Sequence, residues 1–187
     1  MRMTAEQGFT LIEVLLVVVI MGILTAIALP RLGLAGYRAN SGAQAVAGAL
    51  SQAQRMAISR QADVVVVFDV ANRRLRIHED ANNDNLINGA ERVLSTPLPD
   101  GVTFGRGTAA ARAIGAAVIT FTKTQDAMPA VVFRRDGTAS QAGGVYISTI
   151  DGLTLDRTKD VRAVELTRAT GRTSWFSYAT GAWKPGH

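Results

Sequence analysis

The chain has 187 residues, no cysteine, only two histidines (His78 and His187) and a formal net charge of +5. Without cysteine there are no disulfides, thiolate metal sites or cysteine nucleophiles, and two histidines leave almost no basis for histidine metal or acid–base chemistry. The excess of 20 Lys+Arg over 15 Asp+Glu is carried almost wholly by arginine, and it permits contact with anionic lipid or nucleic acid without demanding it.

A polar leader, residues 1–8, ends at Gly8. From Phe9 to Leu29 runs an apolar stretch of 21 residues with a single charge, Glu13. About 20 apolar residues in a helix span the hydrocarbon core of a bilayer. The stretch exceeds the h-region of about 7–15 residues found in removed signal peptides, and its end, Ala-Leu-Pro-Arg-Leu, lacks a small-x-small cleavage site. A carboxylate in such a helix costs about 2.5–3.5 kcal/mol on insertion scales, which marks Glu13 as a functional position. Pro30 follows, where it removes a helical hydrogen bond and clashes with the preceding turn. The helix therefore stops at Leu29 or resumes beyond a kink. Resumption is expected, because Ala43–Arg60 is rich in helix formers and Val46, Leu50, Ala53, Ala57 and Ile58 form an apolar stripe. Gly33, Gly36 and Gly42 are expected to soften the middle, and the helix to end near Arg60 and Gln61.

Beyond Gln61 the pattern turns to short β-rich runs. Asp63–Asp69 reads as a buried strand, Arg73–His78 alternates, and Arg92–Leu94 is its expected return partner. Val102–Phe104, Ala117–Phe121, Ala130–Phe133, Gly144–Ser148, Val161–Thr167 and Ser174–Tyr178 are further expected strands. Pro99-Asp100-Gly101, Asp136-Gly137, Gly143-Gly144, Asp151-Gly152 and Thr170-Gly171 read as turns between them. Many short strands with such punctuation predict an antiparallel sandwich. The expected fold class is α+β, with a long N-terminal helix whose first half spans a membrane and whose second half packs on the sandwich.

Two further segments offer binding chemistry. Asp80, Asn82, Asp84, Asn88 and Glu91 occupy positions 1, 3, 5, 9 and 12 of a loop whose position 8 is apolar Ile87, with Leu86 at the backbone-carbonyl position. That is the oxygen spacing of an EF-hand calcium loop, although Asn85 stands where the motif uses glycine. The other reading is a solvated hairpin tip rich in turn formers. Near the C-terminus, Arg157, Lys159, Arg162, Arg168, Arg172 and Lys184 interleave with Trp175, Phe176, Tyr178 and Trp183. Charge plus aromatic stacking can hold single-stranded nucleic acid, here through Arg168, Arg172 and Lys184; the other reading is strands closing a sandwich edge. No catalytic constellation stands out, so the chain is read as a non-enzyme.

Gly8-Phe9-Thr10-Leu11-Ile12-Glu13-Val14-Leu15 resembles the N-terminus of type IV pilins and type II secretion pseudopilins. The resemblance implies cleavage after Gly8 by a prepilin peptidase and methylation of the new amino terminus at Phe9. It also implies a cytoplasmic leader, although Arg31 and Arg38 on the far side would not predict that by charge count. An ammonium at Phe9 and the carboxylate of Glu13 are both poorly solvated in lipid, and each can be satisfied by a neighbouring copy. Val131-Val132-Phe133-Arg134-Arg135-Asp136-Gly137-Thr138, Gly144–Ser148, Arg162–Leu166 and Thr170-Gly171-Arg172 resemble the H-type pseudopilins and their FimT relatives. This second resemblance implies a pilin-like minor subunit: residues 1–8 leader, 9–29 transmembrane helix, 30–61 amphipathic continuation, 62–187 β-rich periplasmic domain. It would sit in the inner membrane and assemble with other pseudopilins or pilins, at the tip of a filament, on an inner-membrane assembly platform. The alternative within the family is a DNA-uptake pilin. Its Gly-Arg-x-Arg motif is matched by Gly171-Arg172 with serine, not arginine, at 174.

Overall fold

The computed structural model describes residues 9–28, 34–82 and 91–186. The chain forms two compact units, 1–34 and 35–187.

In the first unit, α1 covers Leu11–Ala28. Thr10 caps it: the Glu13 amide donates to the Thr10 carbonyl at 3.1 Å and to Thr10 Oγ1 at 3.3 Å. Every large apolar side chain from Leu11 to Leu24 is exposed, so α1 is apolar all round. Among the described residues no helix is long and apolar enough to cross a membrane. The 18 residues of α1 reach about 27 Å at 1.5 Å each, against a hydrocarbon core of about 30 Å. Leu29, Pro30 and Gly33, on which the expected kink rests, lie outside the described residues.

The second unit holds α2, Leu34–Arg60, and two five-stranded antiparallel sheets. The first sheet has the order β3 (Val93–Pro97), β2 (Arg74–Asp80), β1 (Asp63–Asp69), β6 (Met128–Phe133), β5 (Lys123–Gln125). The second runs β10 (Ala182–Pro185), β9 (Thr173–Ala179), β8 (Arg162–Leu166), β7 (Gly143–Thr149), β4 (Val102–Phe104). A short helix α3, Ile150–Thr154, follows β7, with Thr149 Oγ1 accepting from the Gly152 amide.

One core joins all three layers. Val64, Val66 and Phe68 of β1, Val145 and Ile147 of β7, and Val164 and Leu166 of β8 face Val46, Leu50, Ala53 and Ala57 of α2. The buried face of α2 is mostly alanine, which brings the helix backbone close to the strands. Gly42 is closest: a Cβ there would lie 2.6 Å from Val102 Cγ1. Alternate residues of β1 and β6, Val65, Val67, Ala130 and Val132, form a second cluster on the outer side of the first sheet. This is why Asp63–Asp69 reads as a continuous apolar run.

Several expectations change. Gly36 and Gly42 lie within an unbroken α2, and Gly42 serves close packing. Ile58 leaves the apolar stripe and is 45% exposed, because it falls beside Ala57 at the rim of the buried face. Ala117–Phe121 is not a strand: it keeps one bridge, Ile119 to Val145, and lies along the edge of β7, where the Tyr146 amide donates to the Val118 carbonyl and the Thr120 amide to the Gly144 carbonyl. Gly143 and Gly144 are not a turn but open β7, where a Cβ on Gly144 would meet the Val164 carbonyl at 2.3 Å. Asp151-Gly152 lies in α3, and β5 and β10 are additional strands.

Candidate functional site

The N-terminal candidates stand on the capped end of α1. Phe9 is 82% exposed and Glu13 is exposed on the first turn; Gly8 lies outside the described residues. Thr10-Leu11-Ile12-Glu13 is also a capping-box sequence, a local role for Glu13 that the apolar pattern obscures. A carboxylate in the first turn is favoured by the positive end of the helix dipole, by about 0.3–1 kcal/mol. The arrangement is thus a helix with no polar face, one acid at its start and a flanking aromatic end.

The calcium-loop candidates are placed only at the ends. Asp80 is buried at the last position of β2, opposite Asp63 of β1. Asn82 is exposed and Glu91 half-buried. Asp84, Leu86 and Asn88 lie outside the described residues. Among the described residues no three acidic or histidine side chains gather as a metal site.

The basic C-terminal set is dispersed. Arg162 is buried and acts as a strut: its Nε donates to Asn40 Oδ1 of α2 at 2.7 Å, Nη1 to the Lys159 and Val161 carbonyls, and Nη2 to the Gly36 carbonyl at 3.3 Å. Burial lowers its pKa, with Asp160 opposing. Arg157 pairs with buried Asp160 at 3.3 Å. Arg168 and Arg172 share the exposed β8–β9 turn, whereas Lys184 lies on β10 opposite Ser177, separated from Arg172 by most of the length of β9.

The aromatic rings are engaged within the domain. Arg112 stacks over Phe176 at 3.4 Å and pairs with Glu165. Trp183 packs on Tyr146 and Tyr178 and donates to the Ala110 carbonyl at 3.1 Å. Trp175 packs against the main core. Tyr146 fastens the 105–120 loop, its hydroxyl donating to the Gly115 carbonyl and accepting from the Arg112 amide, both at 2.7 Å. Ala110, Arg112 and Gly115 of this loop, which sequence patterning did not single out, thus hold the outer aromatic layer of the second sheet.

Residues 42–171, well over half of the chain, match the family model of the type II transport protein GspH. The chain belongs to the GspH family. Residues 3–29 match the prokaryotic N-terminal methylation motif. GspH-family members are structural pseudopilin subunits of type II secretion, not enzymes. Among solved structures, the chain is similar to the minor pseudopilin EpsH of the type 2 secretion system of Vibrio cholerae, with 15% identity, 72% of this chain and 93% of that one covered, and a TM-score of 0.46. Comparison with curated proteins gives no match.

Proposed function

We propose that the chain is a minor pseudopilin stored in the inner membrane and assembled at the tip of a type II secretion pseudopilus. A prepilin peptidase cuts after Gly8 and methylates Phe9; residues 9–29 form a single membrane span, residues 30–61 continue the helix, and residues 62–187 face the periplasm. The reading is carried by α1, whose whole apolar circumference is uncovered while one carboxylate stands on its first turn. A helix apolar on all sides must be enclosed by lipid or by other helices. Insertion into lipid leaves Glu13 unpaired; entry into a filament lets it meet the amino terminus of a neighbouring subunit. That difference favours the assembled state at this position.

Intact mass of the protein from its native host tests the processing step. Loss of residues 1–8 with one added methyl group is expected, and retention of the leader would refute it. The alternative, a FimT-like DNA-uptake pilin, draws on exposed Arg168 and Arg172 alone, since the neighbouring rings are engaged. It requires a salt-dependent DNA gel shift that Arg172→Ala weakens.

A further inference from the structure

Arginines concentrate at the end of the sandwich where α2 finishes. The side-chain amide of Gln54 on α2 donates to the Gly137 carbonyl at 2.8 Å and to the Thr170 carbonyl at 2.7 Å. One helix residue thereby gathers the β6–β7 turn from the first sheet and the β8–β9 turn from the second. The two turns also touch directly: the Ala139 amide donates to the Arg168 carbonyl at 2.9 Å, and a Cβ on Gly171 would lie 2.2 Å from the Gly137 oxygen. These segments carry Arg134, Arg135, Arg168 and Arg172, and α2 adds Arg55, all exposed. Among the described residues no ion pair involves any of the five.

The local acids are already engaged. Asp136 accepts from the Thr138 amide and hydroxyl and senses Arg134. Asp63 accepts from the Arg135 amide, and Glu79 pairs with Arg60 at 3.7 Å. Beside the arginines stands Ile58, 45% exposed, its Cδ1 lying 2.9 Å from where a Cβ on Gly137 would sit.

We propose that this end is a docking surface for an acidic protein face, with Ile58 as its apolar anchor and Arg55, Arg135, Arg168 and Arg172 as carboxylate partners. Guanidinium forks match carboxylates bidentately, and an apolar centre rimmed by arginine is the composition of a protein interface. Single-stranded nucleic acid fits less well. Stacking needs free rings, and the one exposed aromatic of this unit among the described residues is Tyr37, 21 residues before Ile58 on α2 and so about 30 Å away. The inference concerns residues 35–187 and does not rest on the processing or anchoring proposed above.

The test uses the full chain in non-ionic detergent and three labelled probes: a glutamate-rich peptide with a central leucine, an all-glutamate peptide of equal length, and a DNA duplex of equal charge. The leucine-bearing peptide is expected to bind best. Arg135→Ala with Arg172→Ala should weaken it about tenfold or more, the loss of two charged hydrogen-bonding groups, and Ile58→Ser several-fold. Lys159→Ala, near the start of α2 through Arg162, should leave it unchanged. All four positions are exposed, and melting temperature confirms folding. Binding indifferent to the double variant, tighter binding of the duplex, or a leucine peptide no better than polyglutamate would each overturn the proposal.

Discussion

Replacing Glu13 by glutamine separates two roles that its position on α1 allows. As a helix cap, Glu13 is the fourth residue of a capping box begun by Thr10, whose hydroxyl accepts from the Glu13 amide at 3.3 Å. Glutamine serves that box as well as glutamate and forfeits only the helix-dipole contribution, about 0.3–1 kcal/mol. As an ion partner inside a filament, Glu13 loses its charge altogether in the glutamine variant. The neighbour's ammonium is then buried alone, at a cost of about 3–5 kcal/mol, or on the order of a hundredfold to a few thousandfold in incorporation. Alanine removes both contributions. The assay is the amount of each variant recovered in assembled filaments from the native host, normalised to its level in the membrane fraction. The ion-pair argument expects Glu13→Gln to fail nearly as badly as Glu13→Ala, with both still present in the membrane. Glutamine assembling at the wild-type level while alanine falls slightly would show that the residue is a cap and refute the pairing.

Two glycines of α2 are expected to respond oppositely to alanine. A Cβ on Gly48 meets nothing within 4 Å, so Gly48→Ala should stabilise by about 1 kcal/mol, whereas Gly42→Ala drives a methyl to 2.6 Å from Val102 and should destabilise by about 1–2 kcal/mol net of that gain; urea midpoints compare them. Gln54→Ala removes donors to two turn carbonyls and should cost about 1–3 kcal/mol, with hydrogen exchange quickening at both turns together. His78 is fully buried and neither ring nitrogen has a hydrogen-bond partner among the described residues, and burial, aided by Arg76 and opposed by Asp126, lowers its pKa to about 4. The unfolded chain takes up the proton below about pH 6.5 and the folded one only near pH 4, so stability should be full above pH 6.5 and fall by up to about 3 kcal/mol on acidification to pH 4. Urea titrations at several pH values would show that slope, and its persistence in His78→Leu would assign it elsewhere.

Much of the architecture was legible because its signals are local. The alternation of Arg73–His78 and the unbroken run at Val64–Phe68 identify an inner strand and its neighbour, and the structure pairs them residue for residue. The losses arise where tertiary contacts override local grammar. Gly143 and Gly144 look like a turn, yet they open a strand because Phe121 and the Val164 carbonyl leave no space for a Cβ. The β5–β6 hairpin turns on Asp126 and Ala127, both with positive φ, and alanine is no turn signal. Thr180-Gly181, also with positive φ, makes the β9–β10 hairpin, but Pro185 hides the edge strand it leads to. At the candidate site, the apolar stretch and Glu13 were plain in the sequence, whereas the Arg162 strut and the Gln54 bridge join residues 83 to 126 positions apart and have no short-range signature.

The chain changes sheets three times. After β3 in the first sheet it lays β4 in the second, returns for β5 and β6, and only then supplies β7, the partner of β4. Val102–Phe104 must therefore wait for Ile147–Thr149, and the first sheet itself lacks its central neighbour until β6 exists. During synthesis, no early stretch of polypeptide can settle into a self-sufficient fragment. Unpaired edges such as β1 are liable to wrong partners while they wait, so roughly the first 150 residues must emerge and be shielded before the body of the subunit can close in a single cooperative event.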